Sequence, residues 1–272
     1  MFARFVMTAK EEVWMSYSRS VLSALMFASA LALTASRIAT GAESQHQARV
    51  AVAANFTHVA QLLANQYAQQ SGNRIDISAA STGKLYAQIR NAAPFDILLA
   101  ADNTTPQRLV AENLAVASSL FNYATGELVL WSRDAALATQ GENTLRHHVF
   151  HKFAIANPEL APYGAAAREA LQHIGRWDAF KPHLVYGENV GQATQFVISG
   201  NAEAGLLPLS LVMESQRQVG GAYWSVPADW HAPIVQTAVL LTRASNNVAA
   251  IGFLKYLHSE PARRIIRAHG YQ

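Results

Sequence analysis

Arg49-Val50-Ala51-Val52-Ala53-Ala54 runs into Asn55-Phe56-Thr57, and Arg74-Ile75-Asp76-Ile77-Ser78-Ala79-Ala80 runs into Ser81-Thr82-Gly83-Lys84. Both stretches read as a strand that stops at a short amide or hydroxyl side chain just where helical periodicity begins. A helix start presents backbone N–H groups without intrahelical acceptors, together with the positive end of the helix dipole. Two such starts converging on one point make a ready site for an anion.

The same alternation continues on either side. Val59, Leu62, Leu63 and Tyr67 fall at helical spacing, and Ser71-Gly72-Asn73 closes that helix. Leu85 and Ile89 mark the helix behind Thr82, Ala93-Pro94 ends it, and Phe95–Ala100 is an apolar strand. Thr105-Pro106 predicts another helix, with Thr105 as N-cap and Pro106 at the first helical position. Thr125-Gly126 introduces a strand over Glu127–Trp131. Then come a strand at Phe153–Ala156, a helix at Tyr163–Ile174, a strand at His183–Tyr186, a helix at Val190–Ser199 and a strand at Leu206–Leu209. A late strand at Ile234–Thr242 precedes a helix capped by Ser245 and a last helix starting at Pro261. The pattern predicts an α/β fold of mainly parallel sheets flanked by helices, in two lobes rather than one. Open sheets of this kind take ligands at the carboxyl ends of their strands. The turns at Asn55, Thr82, Tyr163 and Val190 all lie at such ends, so a cleft between two lobes could collect all four.

The chain has 272 residues, 51% of them hydrophobic and 14% charged, the balance of a globular protein. Ser16–Arg19 is positive, Val21–Leu33 is almost wholly apolar and Ala39-Thr40-Gly41-Ala42 is small, so residues 1–42 read as a secretory signal. An uncleaved membrane anchor is the lesser alternative, because the apolar run is short for a span. Glu11 and Glu12 are foreign to a signal's first segment and make Met15 an alternative start. Two of the chain's three net positive charges belong to residues 1–42, which leaves the remainder at +1. With no Lys/Arg run anywhere, nothing suggests nucleic acid as a partner. The absence of cysteine excludes thiolate metal sites, iron–sulfur clusters and a cysteine nucleophile.

The four turns carry a distinctive chemistry. Asn55 offers amide and backbone N–H donors, Ser81 and Thr82 add hydroxyls, Tyr163 adds a phenol and Val190 can add only its N–H. Taken singly, Asn55 and Thr82 read as plain N-caps, and Tyr163 and Val190 as core. Together they form a set of neutral donors with no paired acid, base or nucleophile, which suits holding an oxyanion rather than reacting with it. Lys84 lacks the spaced glycines of a phosphate loop and reads as solvated. His147 and His151 stand at i, i+4 with no further ligand nearby, so a surface turn is favoured over a metal site. Asp96 and Asp102 flank one strand, too far apart for acid/base work as a pair, and read as turn and capping residues.

Several short pieces, in this order and spacing, resemble the periplasmic molybdate-binding proteins of bacterial ABC importers. They are Val-Ala-Ala-Asn-Phe-Thr at 52–57, Ser-Thr-Gly-Lys-Leu-Tyr-Ala-Gln-Ile at 81–89, Ala-Pro-Phe-Asp at 93–96 and Ala-Ala-Asp at 100–102. Asn-Pro at 157–158, Ala-Pro-Tyr-Gly at 161–164, Ala-Arg-Glu-Ala-Leu at 167–171, Gly-Glu-Asn-Val at 187–190 and Gly-Asn-Ala-Glu-Ala-Gly at 200–205 complete the set. The resemblance runs from about Ala48 to the C-terminus. It implies a type II periplasmic-binding fold with the ligand cleft between lobes, one lobe built from 43–126 plus 233–272 and the other from 127–232. The crossings then fall near Thr125–Glu127 and Pro233–Thr237. It also implies oxyanion contacts at Asn55, Thr82, Tyr163 and Val190, with Ala54 contributing backbone and Ser81 nearby. Two departures stand out: Asn55 replaces a common serine, and Pro208 stands where many members carry a contacting tyrosine, so Tyr163 is the candidate replacement.

The expectation is a monomeric exported receptor, periplasmic, that binds molybdate or tungstate and hands it to an ABC permease. No cofactor and no directly ligated metal cation are expected, molybdenum entering as molybdate. A receptor for sulfate, phosphonate or an organic acid is the alternative, although a carboxylate would call for an arginine clamp that these turns lack. An enzyme on a similar two-lobed fold would need a nucleophile, metal cluster or covalent cofactor. A regulator's effector domain would ordinarily follow a DNA-binding helix pair.

Overall fold

The computed structural model describes residues 46–272, so the signal read over 1–42 lies outside the described residues. The chain opens with β1 (Gln47–Ala53), a 3-10 turn at Ala54–Phe56, α1 (Thr57–Ser71), β2 (Arg74–Ala80), α2 (Thr82–Arg90), β3 (Ile97–Leu99), α3 (Thr104–Ala111) and β4 (Phe121–Gly126). It continues with β5 (Leu128–Ser132), α4 (Ala135–Thr139), α5 (Glu142–His147), β6 (Phe153–Ala156), α6 (Pro162–His173), α7 (Trp177–Phe180), β7 (Leu184–Gly187), α8 (Val190–Ile198), β8 (Ala204–Pro208), α9 (Leu209–Val219) and β9 (Ala222–Ser225). It closes with β10 (Ile234–Leu240), α10 (Val248–Leu257) and α11 (Glu260–Ala268).

Two five-stranded sheets result, ordered β2-β1-β3-β10-β4 and β7-β6-β8-β5-β9. Each has three parallel strands at one side and an antiparallel strand next to them, β10 in the first sheet and β5 in the second. The two mixed sheets, each flanked by helices, make a two-lobed α/β fold. The chain leaves the first sheet between Gly126 and Leu128 and returns between Ser225 and Ile234.

Burial explains the strands. Val50 and Val52 face a cluster with Phe56, Leu63 and Phe253. Ala51, on the opposite face, packs with Leu85, Leu98 and Leu109. Strands covered by helices on both faces carry such unbroken apolar runs. In α1, Val59, Leu63 and Tyr67 are buried, and Gly72 ends the helix at φ 72°, a left-handed conformation that glycine adopts without strain.

Three local expectations change. Helix α3 begins at Thr104, and the Asp102 carboxylate, not Thr105, takes up its free donors, accepting from the Thr105 N–H at 2.7 Å. An ionised acceptor ahead of a helix outcompetes a hydroxyl for that place. Asn247 rather than Ser245 caps α10, accepting from the Ala250 N–H at 3.2 Å, while Ser245 ends a 3-10 turn over Thr242–Ala244. Asp96 caps nothing. Its carboxylate accepts from the Arg49 N–H and from the Arg243 guanidinium, each at 2.7 Å, and so ties the start of β3 to β1.

Candidate oxyanion site

The parallel register sets the site. Ala53 lies opposite Ala80 across β1 and β2, so Ala54-Asn55 and Ser81-Thr82 emerge side by side. In the other sheet Ala156 lies opposite Gly187, and the chain beyond them leads to Tyr163 and Val190. Ala53 and Ala101 of the first lobe share one buried cluster with Tyr163 and Val190 of the second, and Ala54 packs against it. The carboxyl ends of both sheets therefore face each other.

Ser81 is the most telling member. It precedes α2 but makes no capping bond, and its hydroxyl is buried without a partner in a residue only 3% exposed. Leaving such a group unpaired costs about 1–3 kcal/mol, which asks for an explanation. Thr82 accepts from the Ala101 N–H at 3.1 Å, which leaves its own proton for another acceptor. Thr82 and Val190 are the first residues of α2 and α8, so their N–H groups have no acceptor within the helix. The Asn189 side chain caps α8 by accepting from the Gln192 N–H at 3.1 Å, the donor two residues past Val190.

Asn55 behaves differently from the simple expectation. Both of its amide protons are committed, one to Gln236 Oε1 at 2.9 Å and one to the Tyr271 hydroxyl at 3.1 Å. Its side chain braces the wall, and its backbone N–H is what remains for a ligand. Tyr163 follows Pro162 in the first turn of α6, which is jammed against β6: a Cβ on Gly164 would meet Ala156 O at 2.3 Å. The Tyr163 oxygen accepts from Gln236 Nε2 at 3.2 Å. Burial, with Tyr271 nearby, pushes the Tyr163 phenol well above its ordinary pKa of 10.0, so it stays a donor throughout the neutral range.

Four residues that the sequence did not mark as site residues complete this wall, although Gly126 and Gln236 fall within the two expected crossings. Gln236 is fully buried on β10 at the point where its pairing with β4 shifts register, and such irregularities re-aim side chains. Tyr123 places its hydroxyl 3.0 Å from Gln236 Oε1 and 3.1 Å from Ala100 O. Tyr271, the penultimate residue, donates to Asn55 O at 2.8 Å and lies 3.0 Å from Ser210 Oγ. Gly126 leaves the space that they fill, because a Cβ there would sit 1.9 Å from the Tyr163 hydroxyl and 2.8 Å from Gln236 Nε2. Pro208 ends β8. Two residues on, Ser210 reaches Asn55 O at 3.3 Å, so that edge is bound to the Asn55–Tyr271 pair.

None of these groups is charged. Lys84 is half exposed, as expected of a solvated lysine, and pairs with the half-exposed Glu188 of the other lobe. A separate groove of about 360 Å³ between the lobes is lined by the carboxylates of Asp102, Glu159 and Glu169, which does not suit an anion. His148 lies 3.7 Å from Glu203, and among the described residues no three His, Asp or Glu side chains gather as a metal site would require.

A two-lobed α/β fold with ligand donors at facing strand ends defines a class of binding proteins. The chain belongs to the family described as "Bacterial extracellular solute-binding protein", whose profile matches residues 48–272. It is 43% identical over 241 residues to the molybdate-binding protein ModA of Azotobacter vinelandii, covering 89% of this chain and 95% of that one. With ModA of Rhodobacter capsulatus it shares 40% identity over 221 residues, 81% of this chain and 86% of the other. The solved structure of the Azotobacter vinelandii periplasmic molybdate-binding protein superposes with a TM-score of 0.78 at 36% identity, covering 83% of this chain and 98% of that one.

Proposed function

We propose that this protein is the periplasmic receptor that binds molybdate, or tungstate, and delivers it to an ABC permease. The buried, unpartnered Ser81 hydroxyl carries the reading. It stands beside the Thr82 hydroxyl and close to helix starts that have N–H groups to spare, all neutral. A tetrahedral dianion would satisfy these donors together, its charge compensated by helix dipoles rather than by a lysine or arginine. The relatives' names point to the same ligand. Selection against sulfate rests on the size of the cavity, and selection against hydrogenphosphate on the lack of an acceptor for its proton. Among the described residues no helix is long and apolar enough to cross a membrane. The protein would act as a monomer, without a cofactor.

Calorimetric titration with molybdate, tungstate, sulfate and phosphate in parallel tests this. Molybdate and tungstate should bind tightly and the other two weakly. Equal affinity for sulfate and molybdate would overturn the size argument, and silence toward all four would overturn the receptor.

A further inference from the structure

Hydrogen-bond direction around Gln236 can be read from the far end of its network. Tyr271 has one proton, and Asn55 O at 2.8 Å, a carbonyl that can only accept, takes it. The Tyr271 oxygen can then only accept, so the Asn55 group facing it at 3.1 Å must be the amide nitrogen. The second proton of that nitrogen points at Gln236, which makes the Gln236 atom at 2.9 Å its oxygen. The Gln236 nitrogen is thereby turned toward Tyr163 at 3.2 Å. With an N–H aimed at its oxygen, Tyr163 must send its own proton elsewhere, and the cleft is where an anion would accept it.

We propose that Gln236 is a positioning residue that locks Tyr163 as a donor toward the ligand and so keeps the site free of acceptors. This rests on the receptor reading above. It makes selection against protonated oxyanions depend on a residue outside the four turns, on the strand just after the return crossing. Gly126 is part of the device, because only the missing Cβ lets the Tyr163 hydroxyl and the Gln236 amide meet.

Glu in place of Gln236 keeps the shape and reverses the direction. A carboxylate accepts from Tyr163, and the phenol oxygen can then accept from the proton of hydrogenphosphate. The test is titration of wild type, Gln236→Glu, Gln236→Met and Tyr163→Phe, alone and with Gln236→Glu, against molybdate and phosphate, each variant first checked for a native melting transition. Gln236→Glu should weaken molybdate and narrow the molybdate-to-phosphate affinity ratio by roughly tenfold or more. Gln236→Met, which removes the N–H without adding charge, should narrow it less. Adding Gln236→Glu to Tyr163→Phe should leave the ratio where Tyr163→Phe alone puts it. A merely structural role would lower both affinities in parallel, and an unchanged ratio in whichever Gln236 variants fold overturns the proposal. Wild type that binds no molybdate sinks the receptor reading itself, a result distinct from wild type that binds while the variants keep the ratio.

Discussion

Ser81 and Thr82 are adjacent hydroxyls with opposite loads. The Ser81 hydroxyl bonds to nothing, whereas that of Thr82 holds the Ala101 N–H. Ser81→Ala therefore removes an unsatisfied buried group, and the free protein should melt at the same temperature or higher while oxyanion affinity drops by about 1–3 kcal/mol. Thr82→Ala should lose a similar amount of affinity and also lower the melting temperature, because it strands Ala101. Paired melting and calorimetric curves separate the two, and a Ser81→Ala protein that binds as well as wild type would remove Ser81 from the site. The tyrosines give a second prediction. Burial raises the phenols of Tyr123, Tyr163 and Tyr271 in the folded state, while the unfolded chain ionises near pH 10.0. The unfolded state then releases protons that the folded state keeps, so stability is full below pH 10 and falls as pH rises beyond it. Melting temperature followed upward through pH 10 should stay level and then decline, less steeply in Tyr163→Phe. A decline setting in near neutrality would contradict it. The turn residues were legible because a short polar side chain between a strand and a helix is a local signal. Gln236 and Tyr271 were not: they lie 181 and 216 residues from Asn55 in sequence, and inside their own segments they look like an ordinary strand residue and a chain end.

Helix α8 shows what an element adds to a residue. Val190 has no polar side chain, and its value to an anion depends on where the helix start is held. Asn189 holds it through the Gln192 N–H. Asn189→Ala should cost about 1 kcal/mol of stability as a lost cap, and a smaller amount of affinity because the Val190 N–H loses its fixed direction. Thermal melting and titration with molybdate check both, and a loss of affinity larger than the loss of stability would mean that Asn189 itself contacts the ligand. At this scale the sequence was readable wherever apolar residues alternated or ran together or the helix was amphipathic: β2 spans Arg74–Ala80 and β6 spans Phe153–Ala156 as expected. Helices α4, α5 and α7, each of four to six residues, are too short to show a period. Helix α9 follows Pro208 directly, with no loop residue to announce it. Strand β9, Ala-Tyr-Trp-Ser, lies half-exposed at the edge of its sheet and lacks the apolar run that marked the central strands.

Across the whole molecule, the lobes meet through several direct contacts. The Gly83 N–H donates to Leu160 O at 2.9 Å, Lys84 pairs with Glu188, and His58 lies 3.8 Å from Glu214 at another point of the interface. Gly83 sits in the first turn of α2, directly beside the proposed ligand donor Thr82, so a movement of the lobes that breaks this contact would also displace that donor. A Cβ at Gly83 would stand 3.1 Å from Leu160 O, tighter than ordinary contact, and separation of the lobes would relieve it. Gly83→Ala should therefore leave the melting temperature of the free protein nearly unchanged and tilt the equilibrium toward the open form. On the order of 1 kcal/mol of closure energy would appear as a several-fold faster release of molybdate. Lys84→Met removes a pair that is half exposed, worth at most about 1 kcal/mol and screened by salt. Its release rate should rise by no more than about fivefold, and the difference from wild type should fade at high ionic strength. Stopped-flow displacement at low and high salt distinguishes the two: the Gly83→Ala effect is steric and persists, the Lys84→Met effect is electrostatic and does not. If Gly83→Ala releases the anion at the wild-type rate, the Gly83–Leu160 contact is not part of what holds the cleft shut, and closure must rest on the Asn55–Ser210–Tyr271 side of the interface instead.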